Sequence, residues 1–425
     1  MRIVVLCPHF DPDTAPTGHV MSRIVGELAS RGHEAHVVTA LPWYRDHAIE
    51  PGWSGRLVRS QPTDWGSVTR VHPFPGGDRR NLPRRALGFL GFSLLAGIAG
   101  VRAGGWFRRA DAVIAMSPPL TLGLTGWATK LAHRAPLVFN VQDVFPDAAV
   151  QTGAITDRRV IALAGWLERF CYRRADAVTV LSTDLADNVK GKLGGRDRSK
   201  ARVIPNFVDT TELHPATRST PYRHELVIGD EPVVMYAGNV GFSQSLGMVI
   251  DAARAIPEAT FVINGNGAAR PQLEAAAADL ANVRFGDHQP AGRLNEVLAT
   301  GDIHLVPLRR GLGRVSVPSK TYSILAAGRP VVAAIDADSE VSRIVISTGC
   351  GVVVAPDDTQ AFIDGIRAVL GTVDLGAGMG RAGRAWVERS ASPSSTAVAY
   401  EALVTELTSG RTGPPASRRR VKASA

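Results

Sequence analysis

Residues 3–7 read IVVLC, an unbroken apolar and β-branched run of the kind that forms a strand covered on both faces. The segment after this run constrains the chain most. A loop rich in Pro, Asp, Thr and Gly (8–18) leads into an amphipathic helix, 19–30, with Val20, Ile24, Val25 and Leu28 on one side. Gly32 stands where a C-terminal cap is expected, and EAHVVTA (34–40) is a second buried strand. Such a strand–helix–strand unit builds parallel sheets. The pattern recurs in DAVIAMS (111–117), PLVFNVQ (136–142), DAVTVLS (176–182) and ARVIPN (201–206), with helices expected at 121–133, 158–173 and 183–193. After a polar, Pro-rich passage (214–221) it restarts in VVMYAG (233–238), TFVINGNG (260–267), VRFGD (283–287), DIHLVPL (302–308), PVVAAI (330–335) and GVVVAP (351–356).

The chain therefore reads as α/β, with two doubly wound units joined near 206–221. The expected domains are 1–208 and 216–385. Residues 386–408 are expected to return as a C-terminal helix onto the first, and 409–425 form a basic tail without apolar periodicity, expected to be disordered. Ligands of such sheets bind beyond the carboxyl ends of the strands, so a cleft between the two units is the expected site.

Composition removes several classes. Cys7, Cys171 and Cys350 are too few and too scattered for a disulfide framework or a zinc site, and they suit a reducing compartment. No apolar run reaches 18 residues, and MRIVVLCPHF runs straight into a strand, so neither a membrane span nor a signal peptide is expected. The net charge is +9, but seven arginines lie between Arg79 and Ala110 and five more cations follow Thr408. The remainder is slightly acidic, which argues against a nucleic-acid surface.

Chemistry concentrates at the strand ends of the second unit. In GNVGFSQS (238–245), Gly238 and Gly241 allow close backbone approach, and a helix opening there offers free amides to a phosphate; a tight strand–helix turn is the plainer reading. Arg309, Arg310, Arg314 and Lys320 surround a Gly-rich loop and could clamp a diphosphate or simply be solvated. Ser339 is a candidate N-cap for a third helix start on the same edge. Asp11-Pro12-Asp13 and Asp336-Ala337-Asp338 have metal-binding spacing outside its usual context, and no metal is expected. GNG (265–267) lacks the third glycine of a dinucleotide fingerprint and is expected to be a turn.

PTGHVMSRIVGELASRGHEAHVVTA (16–40), VIPNFVD (203–209), VVMYAGNVG (233–241), NGNGAARPQLE (264–274) and VPSKTYSILAAGRPVVAA (317–334) occur in one order across nearly the whole chain. In this the sequence resembles the retaining glycosyltransferases of family 4, with two Rossmann-like domains facing a central cleft (the GT-B fold), and most of all the colanic-acid and O-antigen type bacterial enzymes. The resemblance implies sugar transfer from a nucleotide-sugar by front-face displacement, with neither protein nucleophile nor metal nor cofactor. It departs from the family at several positions. Asn239 and Gln244 replace the usual Arg and Lys, and Val315 and Ser323 replace the two glutamates. Diphosphate charge then falls to Lys320 with Arg310 or Arg314, and Glu340 is a candidate for the ribose contact, or merely a helix N-terminal acid. Gly18, Gly238, Asn239, Gly241, Ser323 and Ser339 complete the expected donor set. Gly18 is expected in the loop before the first helix. His19, Gln142 and Asp143 are assigned to the acceptor side, with Asp143 orienting the acceptor hydroxyl or capping a turn; His9 and Asp11 are weaker candidates.

ALGFLGFSLLAGIAGV (86–101) is uncharged and flanked by Arg84, Arg85 and Arg102. As a helix of roughly 24 Å it is short for a bilayer core, so residues 84–109 read either as an interfacial helix, suited to a polyprenyl-linked acceptor, or as a core helix with a basic rim. The reading is a cytoplasmic-face transferase moving sugar from a UDP-sugar, or a GDP-sugar, to a lipid-linked or other glycan-precursor acceptor in envelope polysaccharide synthesis. A nucleotide-sugar 2-epimerase and a non-catalytic partner subunit are its rivals.

Overall fold

The computed structural model describes residues 1–45, 48–75, 82–105, 108–147, 150, 155–312, 319–371 and 373–409. It divides into two compact units, Met1–Thr179 with Lys192–Arg202 and the chain from Ala397, and Val180–Gly191 with Val203–Thr396. Both carry the α/β pattern expected.

In the first unit, β1 (Arg2–Leu6), β2 (Glu34–Ala40), β3 (Val58–Thr63), β4 (Gly66–Val71), β5 (Ala112–Ser117), β6 (Leu137–Val141), β7 (Ala177–Val180) and β8 (Ala201–Val203) line up as β3-β4-β2-β1-β5-β6-β7-β8. β1 pairs in parallel with β2 on one side and β5 on the other, so the strand order reverses at β1. The apolar run at 3–7 is fully buried, as its composition requires.

Two strands were not expected. β3 and β4 form an antiparallel hairpin at the sheet edge, where VRSQPT alternates exposed and half-buried and holds Pro62. An edge strand tolerates proline and polar side chains, so apolar pattern alone does not reveal it. The first helix also starts earlier than expected, at Pro16, whose missing N–H fits a first-turn position. Gly18 is thus inside the helix rather than in the loop before it. A Cβ there would lie 2.8 Å from His9 Cβ, so glycine lets this helix press on the loop leaving β1. The apolar segment lies in a longer helix, Leu82–Arg102. Among the described residues no helix is long and apolar enough to cross a membrane. The final helix, Pro393–Ser409, is tied to this unit by Tyr400, whose hydroxyl accepts from Asn140 Nδ2 at 2.5 Å, and by the Arg31–Glu401 ion pair.

In the second unit, β9 (Val233–Ala237), β10 (Thr260–Asn264), β11 (Val283–Gly286), β12 (Ile303–Pro307), β13 (Val331–Ala334) and β14 (Gly351–Val354) form a parallel sheet ordered β11-β10-β9-β12-β13-β14. This is the doubly wound order, with its reversal between β9 and β12. Tyr236, Phe261 and Phe362 fill one layer of its core, each burial worth about 1.5–3 kcal/mol. The helix after β9 starts at Gly247, later than expected, so residues 239–246 form a loop.

Candidate active site

The strand order reverses between β9 and β12, where sheets of this kind bind ligands beyond the strands' carboxyl ends, and four connections meet there. Gly238 follows β9, Gly265 follows β10, Leu308–Leu312 follows β12, and Asp336 lies just past β13. Gly238 and Gly265 have φ of +146° and +135°. A Cβ on Gly265 would lie 1.9 Å from the Gly238 carbonyl oxygen, and one on Gly267 2.2 Å from that of Val240. Only glycine lets these loops touch backbone to backbone. The GNG segment is thus a packed turn, as expected. Its contacts engage the loop's amides: Gly238 N–H donates to Asn264 O, Val240 N–H to Asn266 O, and Gly241 N–H to Gln244 Oε1 at 3.2 Å.

Lys320 opens the Lys320–Ala326 helix. Its Nζ sits 3.9 Å from the centre of the Tyr236 ring, and a Cβ on Gly238 would be 3.4 Å from it. The ring face attracts the ammonium. The Tyr236 hydroxyl donates to Asn239 O at 2.5 Å, which fixes the ring. Yet Nζ is buried and, among the described residues, has no hydrogen-bond partner. Burial pulls its pKa down to about 7. Ser323 lies three residues on, partly exposed on the same helix face.

Two aspartates hold the basic loop. Asp357, at φ +60°, accepts from Ser245 Oγ at 2.5 Å and from the Arg310 amide at 3.1 Å. The Ser245 hydroxyl, the Arg310 amide and the nearby Arg309 and Arg310 charges lower its pKa. Asp336 takes the Gly311 amide on both carboxylate oxygens, at 2.9 and 3.0 Å. The Arg310 guanidinium donates to Pro356 O at 3.3 Å. Arg314 and Val315 lie outside the described residues. Ser339 does cap its helix: its buried Oγ accepts from Ser342 N–H at 3.3 Å. Glu340 Oε2 accepts from Arg343 Nη2 at 3.0 Å, and the same nitrogen reaches Asp184 Oδ2 at 2.6 Å. Asn239 is exposed.

In the first unit, Gln142 is buried and donates to Asn140 Oδ1 at 2.7 Å, while His19 is exposed on the first helix. Asp143 is solvent-accessible but crowded, and loss of hydration raises its pKa. His9 Nδ1 meets Asp13 Oδ2 at 2.6 Å, with the Asp13 side chain fully buried. The Asp11 backbone N–H instead donates to Ser22 Oγ at 2.9 Å. Among the described residues no three His, Cys, Asp or Glu side chains cluster as a metal site.

Sequence reasoning missed Tyr236, Asp357 and Asp13 as site-shaping residues. Tyr236 reads as core, and Asp357 lies 112 residues from Ser245, so neither contact has a local signal.

Two doubly wound α/β units, the second with cations and glycines gathered at one strand edge, define the class of fold, and comparison with known proteins specifies the family. Residues 17–206 match the glycosyl transferase 4-like domain and residues 231–372 the glycosyl transferases group 1 domain, so the chain belongs to the glycosyltransferases built from these two domains. It is an enzyme with the GT-B fold. It is 28% identical over 384 residues to WcaI of Escherichia coli (strain K12), assigned as a colanic acid biosynthesis glycosyl transferase, covering 87% of this chain and 92% of that one. A D-inositol 3-phosphate glycosyltransferase of Nocardia farcinica is 26% identical over 98% of this chain and 93% of its own. Among solved structures, sucrose-phosphate synthase from Thermosynechococcus elongatus superposes with TM-score 0.71 at 17% identity over 96% of this chain and 100% of that chain. Anabaena HepE in complex with UDP and glucose gives 0.65 at 16% identity over the same shares.

Proposed function

We propose that this glycosyltransferase moves a sugar from a UDP-sugar to a glycan precursor carried on a lipid, with retention at the anomeric carbon and without a metal ion or other cofactor. The observation behind this reading is Lys320. An ammonium held out of water beside Gly238, with no hydrogen-bond partner among the described residues, is costly until an anion reaches it. A diphosphate supplies that anion. UDP in the HepE structure and the colanic-acid assignment of the E. coli relative support the donor and the envelope-glycan acceptor.

In the transfer, the acceptor oxygen bonds to the anomeric carbon as the bond from that carbon to the diphosphate oxygen breaks. The acceptor proton passes to the departing diphosphate. Lys320 meets the charge appearing there, with Arg310 or Arg314 assigned to share that role. Ser323 shares the Lys320 face, and Glu340 is assigned to the ribose, for which it must leave Arg343. Asp143, with its raised pKa, is assigned to orient the acceptor hydroxyl. The site of action is the cytoplasmic face of the membrane, touched through residues 84–109.

Thermal melting with UDP, GDP and TDP tests the donor: UDP raises the midpoint most, and no response to any of the three overturns the reading. Transfer from the UDP-sugar persists in excess EDTA. Complete loss restored by Mg²⁺ would refute the metal-free mechanism.

A further inference from the structure

Leu82–Arg102 presents a continuous apolar face to solvent. From Leu87 to Val101 its exposed side chains are Leu87, Leu90, Leu94, Ile98 and Val101, each 42–68% exposed. Spacings of three and four residues align them in one stripe. Thr121–His133 packs against this helix, and Arg158–Arg174 packs against Thr121–His133 in turn. The right-handed connections from β4 through β5 and β6 to β7 put all three on one side of the sheet. The middle helix shows Leu131, and the last shows Val160, Leu163 and Trp166, at 49–67% exposure. Trp166 is stacked on Phe170 at 5.7 Å, so it projects from a fixed base. Between the first two helices runs a groove of about 550 Å³ with Leu94, Ile98 and Leu124 in its walls.

An exposed apolar stripe beside a groove, with further exposed apolar side chains on the neighbouring helices, marks an interaction site, and charge identifies the partner. The three helices contain one acid, Glu168, buried against Tyr172 and Lys192. Most of the cations stand at the helix ends, among them Arg102, Arg158, Arg159 and Arg173, and exposed Arg169 lies one turn beyond Trp166. Apolar centres with arginine rims match acyl chains under anionic headgroups.

We infer that the three helices form a single docking face for an anionic phospholipid bilayer, with Leu163 and Trp166 entering the headgroup–acyl boundary together with the Leu94 stripe. This rests on the proposed membrane contact through 84–109 and extends it to a helix outside that segment. Co-sedimentation of the full chain with phosphatidylcholine vesicles, with and without phosphatidylglycerol, tests it. Wild type pellets with the anionic vesicles and is released by high salt. Leu94→Glu and Leu163→Glu each lower the bound fraction roughly ten-fold or more, with unchanged melting and an unchanged response to UDP. Release by Leu94→Glu alone keeps the contact at 84–109 and overturns the wider face. Wild type that ignores anionic vesicles overturns both, as does a dimer dispersed by Leu94→Glu. Vesicle binding without any UDP response sinks the donor reading and leaves the docking face standing.

Discussion

Lys320→Met melts several degrees above wild type at pH 6 and gains nothing from UDP. The native state of the wild type holds an ammonium whose pKa burial has brought to about 7. In the unfolded chain the same group titrates at about 10.4. Between those values the unfolded state binds more protons, so wild-type stability rises with pH through this window. Below pH 7 the full cost of the buried charge is present, a few kcal/mol. Methionine has similar length and no charge to bury. The advantage of Lys320→Met is therefore greatest below pH 7 and fades by about pH 10. Turnover moves the other way, falling on the order of 10²–10³-fold, as when one group facing a developing anion is removed. Wild-type affinity for UDP weakens above pH 7, because a neutral amine must take up a proton to hold the diphosphate. A melting series across pH, with and without UDP, beside a transfer assay measures all of this. A stability gap that widens with pH, or a normal UDP response in the variant, would defeat the assignment.

Gly265→Ala destabilises the second unit by about 3 kcal/mol or more, on the order expected for backbone strain plus a core clash. The residue has φ +135°, a region closed to side chains, and the added methyl would meet the Gly238 carbonyl oxygen at 1.9 Å. The backbone at 238–241 must move, and Lys320 then loses its place beside Gly238. UDP binding is expected to disappear even at temperatures where the variant stays folded. Gly247→Ala is the control. It opens a helix, nothing stands within 4 Å of its added methyl, and it changes stability by less than about 1 kcal/mol. Denaturant melts with UDP titrations on both variants decide the matter; equal behaviour of the two would contradict the packed-turn account.

Much of the fold is legible in the chain because its strands are buried on both faces. IVVLC, VVMYAG and PVVAAI can be little else, and the helices between them impose parallel pairing. The hairpin of β3 and β4 escapes such reading because an edge strand is selected by its partner rather than by its own hydrophobicity. Gly18 belongs to the first helix and not to the loop before it, a difference hidden because a first turn carries no apolar period. In the site, Lys320 and the glycines stand out by type and spacing. Tyr236 does not, since a tyrosine inside an apolar strand looks like core until something is seen stacked on its ring. Asp357 and Asp336 look like ordinary loop acids.

Pattern along the chain thus settled the buried strands and most of the helices between them, that they form two doubly wound sheets, and which strand ends could meet an anion. These follow from periodicity and backbone sterics, which act between neighbours in sequence. Only the tertiary structure decided that Lys320 lies buried over the Tyr236 ring, that Asp357 ties two distant loops together, and that Leu94 and Leu163 stand exposed on their helices. Each of these depends on burial and on contacts between residues remote along the chain, where the cost of dehydrating a charge or a leucine is set by whatever the fold brings beside it.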